Sequence, residues 1–185
     1  KLKPGFELDE AKNVSLKRVD VDAYRAIKTV FIDEISMVRA DLIDAIDVFL
    51  RRTRDKDEPF GGVRMVFFGD LFQLPPVVGK QIEEQYFKRY KSPYFFSAKV
   101  FSPDDLFAVP FEMEKIALEK IYRQNETDFI SVLNGIRSNR ATQKDLDFLN
   151  QRVSNDAKAL NEKSRIHLVT TNQTAKNINM LRLNQ

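Results

Sequence analysis

Asp33 and Glu34 follow directly on the apolar run Thr29-Val30-Phe31-Ile32, and Gly69-Asp70-Leu71-Phe72-Gln73-Leu74-Pro75-Pro76 follows on a second such run, Val63 to Phe68. Adjacent carboxylates at a strand end can divide the work of hydrolysing a phosphate bond. The first supports Mg2+ on a polyphosphate, and the second takes a proton from an attacking water. The same pair can instead cap the N-terminus of the next helix, where negative charge meets the positive end of the dipole. Gln73, on a short loop stiffened by two prolines, offers a neutral amide able to hydrogen-bond a phosphoryl oxygen or a water without altering the charge balance; the alternative is a plain surface turn. Cysteine is absent and histidine occurs once, at His167. That removes thiolate nucleophiles, thiolate zinc sites and His-rich metal sites, and it disfavours Ser-His-Asp chemistry.

The elements that must position these residues are legible as patterns. Residues 29–32 and 63–68 read as strands of the fully buried kind. Between them, residues 39–53 place Leu42, Ile43, Ile46, Phe49 and Leu50 on one helical stripe, with Asp41, Asp44 and Asp47 off it. The turn Asp57-Glu58-Pro59-Phe60-Gly61-Gly62 closes that helix. Strand, amphipathic helix, strand is the pattern of a parallel sheet with helices on both faces, an α/β fold whose ligands bind outside the carboxyl ends of the strands. Both acidic segments sit there. Further on, a strand is expected near Leu106 to Phe111, helices over 127–139 and 142–152, a strand over Arg165 to Thr170, and a helix from Asn172. The first 28 residues read as an irregular excursion followed by a short helix.

Hydrophobic residues at 43% and charged residues at 31% describe a chain with a real core and exclude a disordered tail. No apolar run reaches the roughly 18 to 20 residues of a membrane span. The net charge of +3 is unevenly spread: residues 1–112 carry 18 Lys and Arg against 19 Asp and Glu, and residues 113–185 carry 12 against 8. The basic excess points to a phosphate-bearing partner for the last third, or to a solvated basic face. The shift near residue 112 is the expected domain boundary. The absence of cysteine and of a signal peptide fits a reducing cytosol, and an opening Lys1 in place of Met fits a piece of a longer protein.

The run Phe31-Ile32-Asp33-Glu34-Ile35-Ser36-Met37 followed by the Gly69 to Pro76 segment resembles motifs II and III of superfamily 1 DNA helicases, and most nearly the petite-integration-frequency (PIF-type) 5′-to-3′ group. Pro59-Phe60-Gly61-Gly62, Ser92-Pro93-Tyr94-Phe95-Phe96, Ile121-Tyr122-Arg123-Gln124 and Thr170-Thr171-Asn172 match that group in order and approximate spacing, from about residue 29 to the end. The resemblance implies a RecA-like P-loop NTPase sheet, present in part. Residues 1–28 would be a wedge-like insertion, 29–112 the C-terminal part of a first RecA-like domain and 113–185 the beginning of a second. It implies ATP and Mg2+ as cofactors. Asp33 would hold the metal, Glu34 would act as general base, and Gln73 would sense the γ-phosphate. Arg123 would serve as an arginine finger positioned by Tyr122, with Asp70 also at the nucleotide. Thr170, Thr171 and Asn172 would meet the backbone of single-stranded or forked DNA. The implied activity is DNA unwinding driven by ATP hydrolysis, in a cytoplasmic, nucleoid-associated setting of bacterial type.

The sequence departs from that pattern in one respect. It contains no Gly-x-x-x-x-Gly-Lys-[Ser/Thr]: its six glycines are at 5, 61, 62, 69, 79 and 135, only Gly79 precedes a lysine, and Leu74 stands where the first glycine would be needed. The resemblance therefore implies a phosphate-cradling loop upstream and further motifs downstream, with this chain a middle slice that does not hydrolyse ATP by itself. A different P-loop ATPase of the AAA remodeller type and a non-catalytic nucleic-acid-binding module are the alternatives. Gln73 on its Gln-Leu-Pro-Pro loop argues against the first, Glu34 and Arg123 against the second. The aromatic run Tyr86 to Phe96 reads mainly as core rather than as a base-stacking surface. Arg51, Arg52 and Arg54 suit a helix C-terminus.

Overall fold

The computed structural model describes residues 18–104, 108–122, 126–153 and 166–183. The chain divides into two compact units that part between Glu126 and Thr127. The composition shift at residue 112 thus falls inside the first unit, because residues 112–122 run as exposed extended chain without regular structure. Of the expected wedge-like insertion, residues 1–17 lie outside the described residues.

In the first unit, helix α1 (Arg18–Ala26) leads into strand β1 (Thr29–Ile32), a 3-10 turn at Ile35–Met37, helix α2 (Ala40–Arg54), a second 3-10 turn at Pro59–Gly62, and strand β2 (Arg64–Phe67). The strands pair in parallel, Thr29 opposite Arg64 through Ile32 opposite Phe67. A parallel pair needs a crossover, and α2 supplies it. The short helix α3 (Glu83–Arg89) and a 3-10 turn at Phe95–Ser97 complete the unit. The expected strand near Leu106 to Phe111 does not form in the described part, residues 108–111. Its link to the fold there is Phe111 N donating to Val100 O at 2.8 Å. Among the described residues, no helix is long and apolar enough to cross a membrane.

Ile43 and Leu50 of α2 join Met65 of β2, Phe60, Tyr86, Tyr90 and Phe95 in one core, with Val30, Ile32 and Phe67 packed against it. Burial of each such side chain contributes about 1.5 to 3 kcal/mol. Phe67 meets Phe95 and Phe101 at ring centroid distances of 5.8 and 6.3 Å, and Phe60 meets Phe111 edge-on at 5.0 Å. The aromatic run is therefore split: Tyr86, Tyr90 and Phe95 are core, while Phe87 and Phe96 are exposed. The opposite sheet face carries Phe31 stacked on Phe68 at 6.1 Å, both exposed. Strands that read as buried on both faces are thus covered on one face among the described residues.

Two aspartates expected on the outer side of α2 are instead buried, Asp44 5% and Asp47 7% exposed. Asp44 accepts hydrogen bonds from Tyr90 Oη at 2.9 Å, Lys99 N at 3.0 Å and Val100 N at 3.1 Å. Asp47 pairs with Arg51 Nε at 2.9 Å and accepts from Phe60 N. Arg54 donates to Gly61 O at 2.8 Å and to the carbonyls of Tyr24, Arg25 and Ile27 at the end of α1, which satisfies acceptors that a helix terminus leaves open. The arginines at the end of α2 thus act through specific partners rather than through the dipole alone.

The second unit contains α4 (Thr127–Arg137), α5 (Gln143–Asn150) and α6 (Asn172–Leu183). Thr142 and Asp145 form a capping box at the start of α5. The Arg152 guanidinium lies over Phe129 at 5.0 Å and Phe148 at 4.8 Å. The strand expected over Arg165 to Thr170 is absent from the described residues 166–170, where no second strand pairs with it. His167 lies there instead with Nε2 2.7 Å from Arg182 Nη2. Since a guanidinium can only donate, that ring nitrogen accepts.

Burial raises the Asp44 carboxyl above the ordinary range, against the opposing effect of its three donors, and burial likewise raises Asp47. A raised folded-state value means that the folded chain binds more protons than the unfolded one above about pH 4. Stability therefore falls as pH rises from there through the raised values, then levels off. Asp44→Asn removes its share of that decline and sets an amide NH2 against a buried backbone N–H, at a cost of about 1 to 3 kcal/mol. Thermal unfolding across a pH series should show a lower melting temperature and a shallower acid-to-neutral decline for the variant.

Candidate nucleotide site at the strand ends

The register of β1 against β2 brings Asp33 and Glu34 to the same sheet edge as Gly69 and Asp70. Phe68 N donates to Ile32 O at 2.9 Å and Ile35 N donates to Phe68 O at 2.8 Å, extending the pairing past both strands. Gly69 is what permits this. A Cβ there would lie 2.9 Å from Ile35 Cγ2, 3.0 Å from Ile35 N and 3.2 Å from Ser36 N. The turn bearing the acids and the loop bearing Gln73 therefore touch main chain to main chain.

Glu34 adopts a left-handed backbone, φ 51° and ψ 45°, which costs a residue with a Cβ about 1 kcal/mol. Its side chain makes no capping hydrogen bond to the turn that follows. Asp33 Oδ1 accepts from Glu34 N at 2.9 Å. Both side chains are exposed, and among the described residues neither meets a lysine or arginine. The helix-capping alternative is thus not the arrangement found. No group of three or more His, Cys, Asp or Glu among the described residues is placed to hold a metal ion. A cation at Asp33 would take most of its ligands from phosphate oxygens and water. Mg2+ binds in that manner, so the donor set fits it.

The Gln73 loop is organised around Asp70. Asp70 Oδ1 accepts from Phe72 N at 3.0 Å, Asp70 O accepts from Gln73 N at 3.0 Å, and Gln73 Nε2 reaches Asp70 Oδ2 at 3.4 Å. Gln73 is exposed and Pro76 is buried, anchoring the end of the loop. Asp33 and Glu34 follow β1 and Asp70 follows β2 at the same end of the strand pair, with Gln73 on the loop that Asp70 organises. Gly69 is a contact residue that the sequence reading did not single out, although a glycine near a strand end can mark close backbone approach.

Tyr122 is 79% exposed, with Lys120 Nζ 4.7 Å from its ring centre. It falls in the first compact unit, which runs to Glu126, rather than in the second. Arg123 lies outside the described residues. Thr170, Thr171 and Asn172 belong to the second unit, where Thr171 Oγ1 accepts from Thr174 N at 3.2 Å and caps α6.

A family model described as PIF1-like helicase matches residues 2–147. The chain is 34% identical over 131 residues to the ATP-dependent DNA helicase RRM3 of Saccharomyces cerevisiae, covering 71% of this chain and 16% of that protein. It is 37% identical over 114 residues to the ATP-dependent DNA helicase PIF1 of Homo sapiens, covering 61% and 15%. Among solved structures, a Bacteroides Pif1 helicase in complex with ADP-AlF3 and ssDNA is similar with a TM-score of 0.79 and 38% identity, over 93% of this chain and 38% of that one. A Bacteroides Pif1 bound to ssDNA is similar with a TM-score of 0.76 and 35% identity, over 95% and 42%. The chain thus spans only a minor part of each relative.

Gly69→Ala should expose the dependence of this edge on close approach. Backbone atoms of Ile35 and Ser36 must shift to admit the methyl group, at a cost of about 1 to 3 kcal/mol. At roughly 2 to 4 °C per kcal/mol for a chain of this size, the melting temperature should fall measurably. A change of less than about 1 °C would mean that the contact is loose.

Proposed function

The chain belongs to the PIF1-like helicase family, and from that premise we propose that it forms part of an ATP-dependent helicase that steps along single-stranded DNA and opens forked duplex. One observation carries the reading: Asp33-Glu34 and Asp70 to Gln73 are held by a continuous hydrogen-bonded register at the carboxyl ends of two parallel strands. Ligands bind at that edge of such sheets. Relatives that the chain resembles are bound to ADP-AlF3 and ssDNA, which supports the assignment.

ATP with Mg2+ brings the scissile phosphoryl group, and the metal's charge offsets the negative charge that develops on the phosphate oxygens. Asp33 would hold the metal. Glu34, freed from capping by its left-handed backbone, takes the proton of the attacking water. Gln73 donates its amide to the γ-phosphate, giving up the long bond to the Asp70 carboxylate. Arg123, steadied by Tyr122, contributes a guanidinium whose positive charge stabilises the transferring group. Thr170, Thr171 and Asn172 meet the DNA backbone. Thr171 acts there through the turn that it caps as well as through its hydroxyl.

In the full-length protein, Glu34→Gln should keep nucleotide and DNA binding while DNA-stimulated ATP turnover falls on the order of 10²- to 10⁴-fold, since the amide keeps the shape and loses the base. Turnover close to that of the wild type would place the base elsewhere.

Gln73→Ala should leave the KM for ATP nearly unchanged, because the bond lost at the phosphate is offset by the bond to Asp70 that the variant also lacks before ATP binds. The ratio of ATP hydrolysis rates with and without single-stranded DNA should drop. An unchanged ratio would exclude Gln73 from coupling.

A further inference from the structure

The turn at Ile35–Met37 holds a group that the reading above leaves unused. Ser36 is fully enclosed, and its hydroxyl has no hydrogen-bond partner among the described residues. The large majority of buried polar groups in folded proteins are paired, so this one calls for a reason. Ser36 lies just beyond Glu34 and directly against Gly69, whose added Cβ would come within 3.2 Å of Ser36 N. On the far side of Gly69, the Gln73 amide rests on Asp70 at 3.4 Å, long for such a bond. The segment joining Glu34 to Gln73 therefore holds an unsatisfied donor at one end and a weakly held amide at the other.

We propose that Ser36 is a positioning residue for ATP turnover. When Gln73 leaves Asp70, the Ser36 hydroxyl donates to a main-chain carbonyl of the Gly69–Gln73 loop and ties the movement of that loop to the placement of Glu34. The proposal rests on the helicase reading of the site. Because Ser36 is sealed from water, its partner must come from protein in contact with it, and Gly69 begins the segment that touches it. A bond made only in the engaged arrangement stabilises the transition state without lowering the ground state, and so acts on kcat. A serine with a purely structural role would already have its partner.

The test is Ser36→Ala in the full-length protein, with thermal melting and steady-state ATP hydrolysis at saturating single-stranded DNA. The melting temperature should hold or rise by about 1 to 3 °C, because an unpaired buried hydroxyl is removed. KM for ATP should stay within about twofold while kcat falls about three- to tenfold, the worth of one neutral hydrogen bond gained on the way to the transition state. Ser36→Cys, of similar size and a weak donor, should recover part of kcat. A lower melting temperature for the alanine variant would mean that the hydroxyl is already paired. Unchanged kcat would mean that it is a packing defect. Either result overturns the proposal. If the wild type itself shows no DNA-stimulated ATP hydrolysis, the helicase reading fails and this proposal with it, and that failure is distinguished by appearing without any substitution.

Discussion

Everything at the candidate site depends on how closely two pieces of main chain can pass at the carboxyl edge of the β1–β2 pair. A side chain at Gly69 would meet Ile35 N, Ile35 Cγ2 and Ser36 N at 2.9 to 3.2 Å, tighter than ordinary van der Waals contact. With hydrogen in place of Cβ, Ile35 N stays bonded to Phe68 O and Phe68 N to Ile32 O, so the parallel register continues through the residues that follow each strand. The acids and the start of the Gln73 loop are thereby brought together by backbone, and the Asp70 side chain organises the rest of that loop. Rigid placement of this kind is what a site needs where much of catalysis is positioning and electrostatics.

That edge is in turn supported from within α2. Asp44 and Asp47 sit one turn apart and accept from main-chain N–H groups of segments distant in sequence, Lys99 and Val100 in one case and Phe60 in the other. Removing a carboxylate from water is costly, and burial raises both groups. The donors offset that cost only with all of them in place, so the arrangement favours one packing over near alternatives. Phe60 shows what is gained. It holds a left-handed backbone, φ 53°, while fully buried, a conformation unfavourable for an aromatic residue. The Asp47 bond to its N–H and the enclosure of its ring hold it there. Gly61 follows with φ 61° and no room for a Cβ beneath Leu50 O. The sharp turn so formed delivers the chain into β2.

Much of this was legible before any coordinates. The two apolar runs, the helix between them and the acids at their ends follow from side-chain period and from the rule that ligands meet parallel sheets at carboxyl edges. Asp44 and Asp47 were misplaced because polarity was equated with exposure. Their spacing from Ala40, Ile43 and Leu50 puts them on the buried stripe, and a carboxylate can remain there only if distant main-chain donors arrive, which periodicity does not encode. The expected strands near 106–111 and 165–170 failed for a related reason. β-propensity expresses fit to a pleated, half-buried surface, and no neighbouring strand provides one among the described residues. Gln73 was read from its loop chemistry, but its present bond to Asp70 could not be, since that depends on the turn geometry after Gly69.

The strain in the first unit is not spread evenly. Glu34 and Ser36 each depart from what a fold selected only for stability would contain: a left-handed residue with a Cβ and a buried hydroxyl without a partner. Both lie in the turn that Gly69 contacts; the Glu34 N–H is held by Asp33 Oδ1 as the Phe60 N–H is held by Asp47, whereas the Ser36 hydroxyl has no partner among the described residues. The difference is informative. Strain matched by a partner serves the fold, and strain left unmatched persists where surrounding structure can hold it and where a second arrangement can relieve it. A turn whose costs are uncompensated in one arrangement and relieved in another has a bias toward moving when a ligand favours the second. In this chain the unpaired Ser36 hydroxyl lies between the two strand-end segments, where such a bias would act.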